Sequence, residues 1–199
     1  MFNEEIHHII QEERNGQKNP YNMQKFFPID AAYQSDLLKR IIPKKKGHLE
    51  IDTVVSCKEG KGGLLTIVDK LTKEFIAENL DAISQECVTR AIKRMIHRGA
   101  LNVQSIKTVT TDNGCEFSHF EELEKLFKAK LYYTHAYASY EKGAIENANR
   151  LVRRWYKKGT DFSKVPRKDI LSLEKIINSI HRKSLNGMTS KDYCRKIAN

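Results

Sequence analysis

Polar and apolar positions alternate with a period of two from residue 48 onward, which predicts β-structure. Over residues 48–55, polar side chains alternate with apolar or β-branched ones, and two valines complete the strand. Residues 58–63 contain three glycines and predict a hairpin loop. An apolar second strand over 64–68, a turn over 70–73 and a third strand over 74–79 follow. This order predicts an antiparallel meander of three strands.

After the meander, helical and strand patterns take turns along the chain. The predicted elements are a helix over 83–95 that ends near Gly99, a strand over 106–111, a helix over 117–127, a strand over 131–134, a long helix over 142–156 and a final helix over 169–180. A strand that returns after a helix lies parallel to the first through a right-handed crossover. We therefore expect an α/β fold of the ribonuclease H-like class, a mixed five-stranded sheet with flanking helices.

The chain falls into three predicted parts. Residues 1–46 contain only two short helical patterns, around 6–10 and 37–41, and are interpreted as a short helical or irregular extension. The core domain spans residues 47–165. A helical tail covers residues 166–199.

The net charge of the chain narrows the classes of molecule that it is expected to bind. Among 199 residues, 35 Lys and Arg face 25 Asp and Glu, a net charge of +10. Such a surface attracts polyanions, and nucleic acid is the leading candidate. No apolar run approaches the roughly 20 residues of a membrane helix, and the first residues do not form a secretory signal. The four cysteines are not paired at metal-ligand spacing, so we expect reduced thiols and a cytoplasmic protein without membrane contacts.

Three acidic residues occupy positions where they could form a catalytic cluster of carboxylates. Asp52 lies in the first strand, Asp112 follows the fourth, and Glu146 lies early in the long helix. If the first and fourth strands are parallel neighbours, the two aspartates lie side by side and the helix brings Glu146 to them. Three clustered carboxylates repel one another unless a hard cation such as Mg²⁺ or Mn²⁺ lies between them. Two such ions, about 3.5–4 Å apart, would activate a water and stabilise the leaving oxygen of a phosphodiester.

Each acid also has a simpler explanation. The sequence Asp112-Asn113-Gly114 is a common turn, and Glu146 could be an ordinary exposed helix residue. Asp52 is harder to explain in this way, because an acid inside an apolar strand is costly without a partner or ligand. Spacing alone therefore leaves both alternatives open.

The segments around these acids carry a more specific signal. They are residues 47–54, 111–117 and 135–149, and the last continues through Phe162. Together they resemble the catalytic segments of bacterial insertion-sequence transposases of the IS-thirty type. The separation of the second and third acids also suits that family.

The resemblance implies a function and its residues. Asp52, Asp112 and Glu146 would be the catalytic and metal-binding triad of a retroviral-integrase type of ribonuclease H-like core. The cofactor would be Mg²⁺ or Mn²⁺, with two ions in the active complex. The reaction would be strand cleavage and strand transfer on double-stranded DNA, at transposon ends and target. A homo-oligomeric active complex, associated with the bacterial nucleoid, is also implied.

One face of the long helix is interpreted as a DNA contact. Steps of three and four place several polar residues on one side, and a cationic stripe beside the metal site would hold the DNA backbone. A solvated charged face is the alternative. The predicted DNA-binding residues are Lys142, Asn149, Arg150, Arg153, Lys157 and, as a flat ring for packing or base stacking, Tyr140. The predicted buried residues of the opposite face are Ile145, Ala148, Leu151, Val152 and Trp155.

Three neighbouring polar residues are weaker candidates. Glu50 and His48 share the strand face of Asp52 and either support the site or form a partly exposed edge pair. Glu116 follows the second aspartate and either assists metal binding or, as the preferred interpretation, is an acid at a helix start.

Two other functions remain open. A truncated, inactive remnant, or a DNA-binding regulator of a full-length transposase, is suggested because residues 1–47 contain no convincing helix-turn-helix. A nuclease acting on RNA–DNA hybrids shares the metal chemistry, but the segment around Glu146 disfavours it. Without a base-reading module, we expect weak, salt-sensitive DNA binding with little sequence preference.

Overall fold

The structure is a computed structural model, and it describes residues 45–57, 60, 62–134 and 142–198. The helical patterns predicted within residues 1–41 and the segment that contains Tyr140 lie outside these ranges. The domain boundaries and the absence of a helix-turn-helix therefore stay predictions.

Five strands form one mixed sheet. They are β1 (His48–Val55), β2 (Gly63–Asp69), β3 (Phe75–Leu80), β4 (Thr108–Thr111) and β5 (Lys130–Tyr133). Their order across the sheet is β3-β2-β1-β4-β5. β1 pairs antiparallel with β2, and β2 with β3, whereas β1 with β4 and β4 with β5 are parallel. The predicted meander and the parallel pairing of the first and fourth strands are confirmed.

Within the described ranges, five helices accompany the sheet. They are α1 (Gln85–His97), α2 (Phe120–Phe127), α3 (Gly143–Trp155), α4 (Arg167–Ser179) and α5 (Ser190–Ala198). Short 3₁₀ turns occupy Val103–Ser105, Cys115–Phe117, Phe162–Lys164 and Lys183–Leu185. None of the helices in the described ranges is long and apolar enough to cross a membrane.

Two helix predictions are corrected by the structure. The single helix expected over 117–127 is a 3₁₀ turn followed by the shorter helix α2. The helix α5 lies within the predicted helical tail, but the sequence analysis ended the last helix of that tail at residue 180 and gave α5 no bounds of its own. A capping signal was available there, since the Thr189 hydroxyl accepts a hydrogen bond from the backbone N–H of Asp192.

The helices α3 and α4 cover one face of the sheet. From α3, the side chains of Ile145, Ala148 and Val152 enter an apolar cluster with residues of β1, β2, β3 and α4. Trp155 was expected to join them, but it is 44% exposed. It is the last residue of α3, and the ring of Tyr156 packs against the cluster instead.

Gly47 joins three parts of the sheet just before β1. Its N–H donates to Asp69 Oδ2 at 2.7 Å, and its carbonyl oxygen accepts from the N–H of Lys107 at 2.8 Å. Its φ of +109° lies in the region that favours glycine. A Cβ at this position would overlap the backbone carbonyl oxygen of Ser105.

We expect Gly47→Ala to lower the free energy of unfolding by about 3 kcal/mol, because it adds a backbone clash to an unfavourable φ. Gly99→Ala is the matched control, since Gly99 also has a positive φ but an added Cβ there meets nothing within 4 Å. That control should cost about 1 kcal/mol. Urea denaturation measures both values, and equal losses would contradict the proposed clash.

Candidate active site

The parallel pairing of β1 and β4 places two aspartates at the same level. Glu50 of β1 is paired with Thr110 of β4. Asp52 lies two residues after Glu50, and Asp112 lies two residues after Thr110. In an extended chain, side chains two residues apart point to the same side of the sheet. Asp112 lies just beyond the end of β4, where the backbone has left the sheet.

Lys142 bridges the two aspartates. Its Nζ donates to Asp52 Oδ1 at 3.1 Å and to Asp112 Oδ2 at 3.0 Å. Lys142 is the residue immediately before α3 and is only 8% exposed. The residue predicted to contact DNA is therefore held inside the protein as the partner of both carboxylates.

Asn149 fixes the second oxygen of Asp52. Its Nδ2 donates to Asp52 Oδ2 at 2.7 Å, and its Oδ1 accepts from the Thr66 hydroxyl at 2.9 Å. Thr66 lies directly opposite Asp52 in the pairing of β1 with β2. Both oxygens of the Asp52 carboxylate are thus held by donors from the start and the middle of α3.

Burial and charge act in opposite directions on these groups. Burial raises the pKa of Asp52 and the nearby Asp112 adds to this, although the positive charge of Lys142 opposes both. Burial alone would lower the pKa of Lys142, but the two aspartates outweigh it and raise that pKa above the ordinary value. Lys142 is therefore a charged ammonium at neutral pH.

Glu146 and the remaining predicted residues stay on the outer side. Glu146 is exposed on the first turn of α3, one turn beyond Lys142. Arg150 is exposed and donates to Asn147, and Lys157 is exposed beyond the end of the helix. Arg153 donates to the carbonyl oxygen of Val55 at 3.1 Å and lies over the ring of Phe162.

The predicted face of α3 therefore divides into an inner and an outer part. Lys142 and Asn149 point into the site, whereas Glu146 and Arg150 are exposed to solvent. Helical spacing groups these residues on one side but does not say which of them reach the sheet.

A third carboxylate lies beside Asp112. Asp112 Oδ1 accepts from the N–H of Gly114 at 3.1 Å, and Glu116 Oε1 accepts from the Thr53 hydroxyl at 2.7 Å. A Cβ at Gly114 would overlap Glu116 Oε2 and lie 3.1 Å from Asp112 Oδ1. Glu116 is buried in the first turn of a 3₁₀ helix, so the acid does stand at the start of a short helix, although not at the start of α2. The spacing Asp112-x-Gly114-x-Glu116 is the sequence signal that could have indicated that these two carboxylates are neighbours.

Glu50 supports the site by fixing the start of α3. It is 1% exposed, so the alternative of a partly exposed edge residue is wrong for it. Its Oε2 accepts from the backbone N–H of Ile145 at 2.8 Å and thereby caps α3, while Lys70 Nζ lies 3.5 Å from Oε1. Burial raises the pKa of Glu50. His48 shares a hydrogen bond of 2.8 Å with the Thr108 hydroxyl across β1 and β4.

The donor chemistry of the two aspartates suits a hard divalent cation. Their carboxylate oxygens already converge on one cationic nitrogen, and oxygen donors are those that Mg²⁺ and Mn²⁺ prefer. Within the described ranges, however, no three Asp, Glu, His or Cys side chains are grouped so as to hold a metal. The structure brings Asp52 and Asp112 together and leaves Glu146 exposed.

Sequence comparison relates the chain to transposases. No family model matches it. The transposase for insertion sequence element IS4351 of Bacteroides fragilis is 35% identical over 165 residues, 79% of this chain and 47% of that protein. The transposase InsI for IS30A of Escherichia coli is 23% identical over 187 residues, 94% of this chain and 47% of that protein. The chain thus spans about half the length of each of these two relatives.

Structural comparison agrees on the fold. The crystal structure of the catalytic core domain of BIV integrase matches with a TM-score of 0.53 at 17% sequence identity. The match covers 76% of this chain and 95% of that one. At this identity the likeness concerns the fold, and the predicted ribonuclease H-like class is confirmed.

We expect Asn149→Ala to lower the free energy of unfolding by about 1.5–3 kcal/mol, because it leaves a largely buried carboxylate oxygen without its donor. Asn147→Ala is the matched control on the same helix, since Asn147 is exposed and bonds to the Gly143 carbonyl of its own helix. That change should stay within about 0.5 kcal/mol. Urea denaturation measures both, and a silent Asn149→Ala would argue against a fixed Asp52.

Proposed function

Because this chain is a homologue of the bacterial insertion-sequence transposases, those of the IS30 group included, we propose that it is a catalytic core that cleaves and joins DNA strands in transposition. The observation that carries the proposal is the convergence of Asp52 and Asp112 on one cationic group beside β1 and β4. Two carboxylates held this close in a half-buried site are the arrangement that phosphodiester chemistry with a hard cation requires.

The proposed active site assigns a task to each group. Asp52, Asp112 and, by resemblance, Glu146 would hold Mg²⁺ or Mn²⁺, two ions in the active complex. Such ions supply an activated water and stabilise the leaving oxygen of a phosphodiester. Asn149 orients Asp52 by holding its Oδ2. Glu50 caps the start of α3 and so keeps Asn149 in register with the sheet.

The proposed partner is double-stranded DNA, both transposon ends and target. The net charge of +10 and the exposed Arg150 and Lys157 at α3 support contacts to phosphate. Arg153 is held against Val55 and Phe162, so its guanidinium offers a fixed charge beside them. A homo-oligomeric active complex is part of the same proposal.

One observation favours the second candidate, an inactive remnant or a DNA-binding regulator. Lys142 already supplies a positive charge to Asp52 and Asp112, so the pair has a partner within the protein without an added ion. A regulator would bind DNA but would not nick it in the presence of Mg²⁺ or Mn²⁺. The nicking assay below therefore separates the two candidates.

We expect Asp112→Asn to lower the rate of Mg²⁺-dependent nicking of supercoiled plasmid by about 100-fold or more, because one anionic ligand is lost. DNA binding should be kept or become tighter, since a negative charge near phosphate is removed. Asp81→Asn is the matched control, because the Asp81 side chain is 76% exposed and Arg90 is its only close cation in the described ranges. A wild-type chain that binds DNA without nicking it would favour the regulator.

We expect Arg150→Ala to reduce the salt dependence of DNA binding. Each phosphate contact contributes roughly 0.9 to the slope of log K against log salt, so the slope should fall by about 1. The loss should be similar for all duplex sequences, because phosphate contacts carry no sequence information. Lys125→Ala, an exposed change on α2, is the control. Fluorescence anisotropy at several salt concentrations measures the slope, and an unchanged slope would exclude Arg150 from the interface.

A further inference from the structure

We propose that Lys142 is the resident counter-cation of Asp52 and Asp112, and that its ammonium and a divalent ion bind these carboxylates in mutual exclusion. Lys142 would therefore set the affinity of the site for metal. The inference rests on the proposed function, which places a divalent ion on the same two aspartates.

The geometry would bring the ammonium and a divalent ion close enough to repel each other. Lys142 Nζ lies 3.1 Å from Asp52 Oδ1 and 3.0 Å from Asp112 Oδ2. Magnesium binds carboxylate oxygens at about 2.0–2.1 Å. An ion on either of these oxygens would therefore lie no more than about 5 Å from Nζ, whichever side it approached from. A divalent ion and an ammonium repel each other strongly over that distance in a partly buried site.

The charges around the pair make Lys142 the group that must yield. The two aspartates carry two negative charges, and Lys142 supplies one positive charge. The carboxyl group of Glu116 also lies beside Asp112 and brings no positive charge to the pair. In the part of the chain that the structure describes, no other Lys or Arg comes within salt-bridge distance of either carboxylate. The remaining partners are neutral donors, the Asn149 amide and the N–H groups of Thr53 and Gly114, which repel no ion. A divalent ion would balance both negative charges, which one ammonium cannot.

The exchange requires a movement of one side chain only. The start of α3 is fixed independently, because Glu50 accepts the N–H of Ile145. Asn149 holds Asp52 through the other carboxylate oxygen, so the aspartate keeps its orientation when the ammonium leaves. Lys142 has a flexible four-carbon side chain and can turn away while the backbone of the helix stays in place.

Calorimetric titration with Mn²⁺ tests the competition without DNA. Lys142→Met should bind Mn²⁺ at least about tenfold more tightly than the wild type, because a competing charge is removed. Lys158→Met should bind as the wild type does, since Lys158 is an exposed lysine beyond the end of α3. Equal or weaker Mn²⁺ binding by Lys142→Met would overturn the proposal.

A measurement on the wild-type chain covers the case in which Lys142→Met does not fold. Acetylation of each lysine by an amine-reactive ester, followed by mass spectrometry, reports how accessible each ammonium is. The buried Lys142 should be modified slowly, and saturating Mn²⁺ should raise its rate several-fold while the rate at Lys158 stays constant. An unchanged rate at Lys142 with bound Mn²⁺ would show that both cations fit, and would overturn the proposal.

The outcomes separate this inference from the proposed function. Tighter Mn²⁺ binding by Lys142→Met in a chain that never nicks DNA would support the inference and contradict the proposed activity. Nicking that depends on Mg²⁺, with an affinity for Mn²⁺ indifferent to Lys142, would contradict the inference alone. Absence of Mn²⁺ binding in both chains would overturn the metal site itself, and the inference with it.

Discussion

Two like charges held side by side are the constraint on which this site depends. The parallel pairing of β1 with β4 brings Asp52 and Asp112 to one level, and their repulsion must be balanced within a partly buried space. The helix α3 supplies that balance, with the ammonium of Lys142 at its N-terminus and the amide of Asn149 in its middle. The position of this helix over the sheet is therefore an electrostatic requirement as well as a matter of packing.

Packing and chemistry divide the same helix between them. Ile145, Ala148 and Val152 hold α3 on the apolar face of the sheet, while Lys142 and Asn149 reach over to the carboxylates. A shift of α3 along its axis would break both sets of contacts together. The core therefore controls the distance between the charged groups, which surface loops could not do as accurately.

The fold was predictable because its signals are periodic and local. Alternation, short apolar runs and helical spacing identify all five described strands and four of the five described helices, and one crossover rule makes β1 and β4 parallel. The burial of Lys142 was not predictable, because spacing groups residues on a face without saying what they touch. The predicted burial of Trp155 is wrong for a related reason. The apolar period continues to the end of α3, but Tyr156 completes the apolar cluster there.

The hydrogen bond from Thr66 to Asn149 extends the site into the interior of the sheet. Thr66 is fully buried in β2, a strand that carries none of the proposed metal ligands. A valine there would have nearly the same shape, yet it would remove the donor that holds the Asn149 amide in the orientation Asp52 needs. An isosteric exchange in the middle of this sheet is thus a chemical change two contacts away from the Asp52 carboxylate, and the evolutionary freedom of β2 is narrower than its apolar sequence suggests.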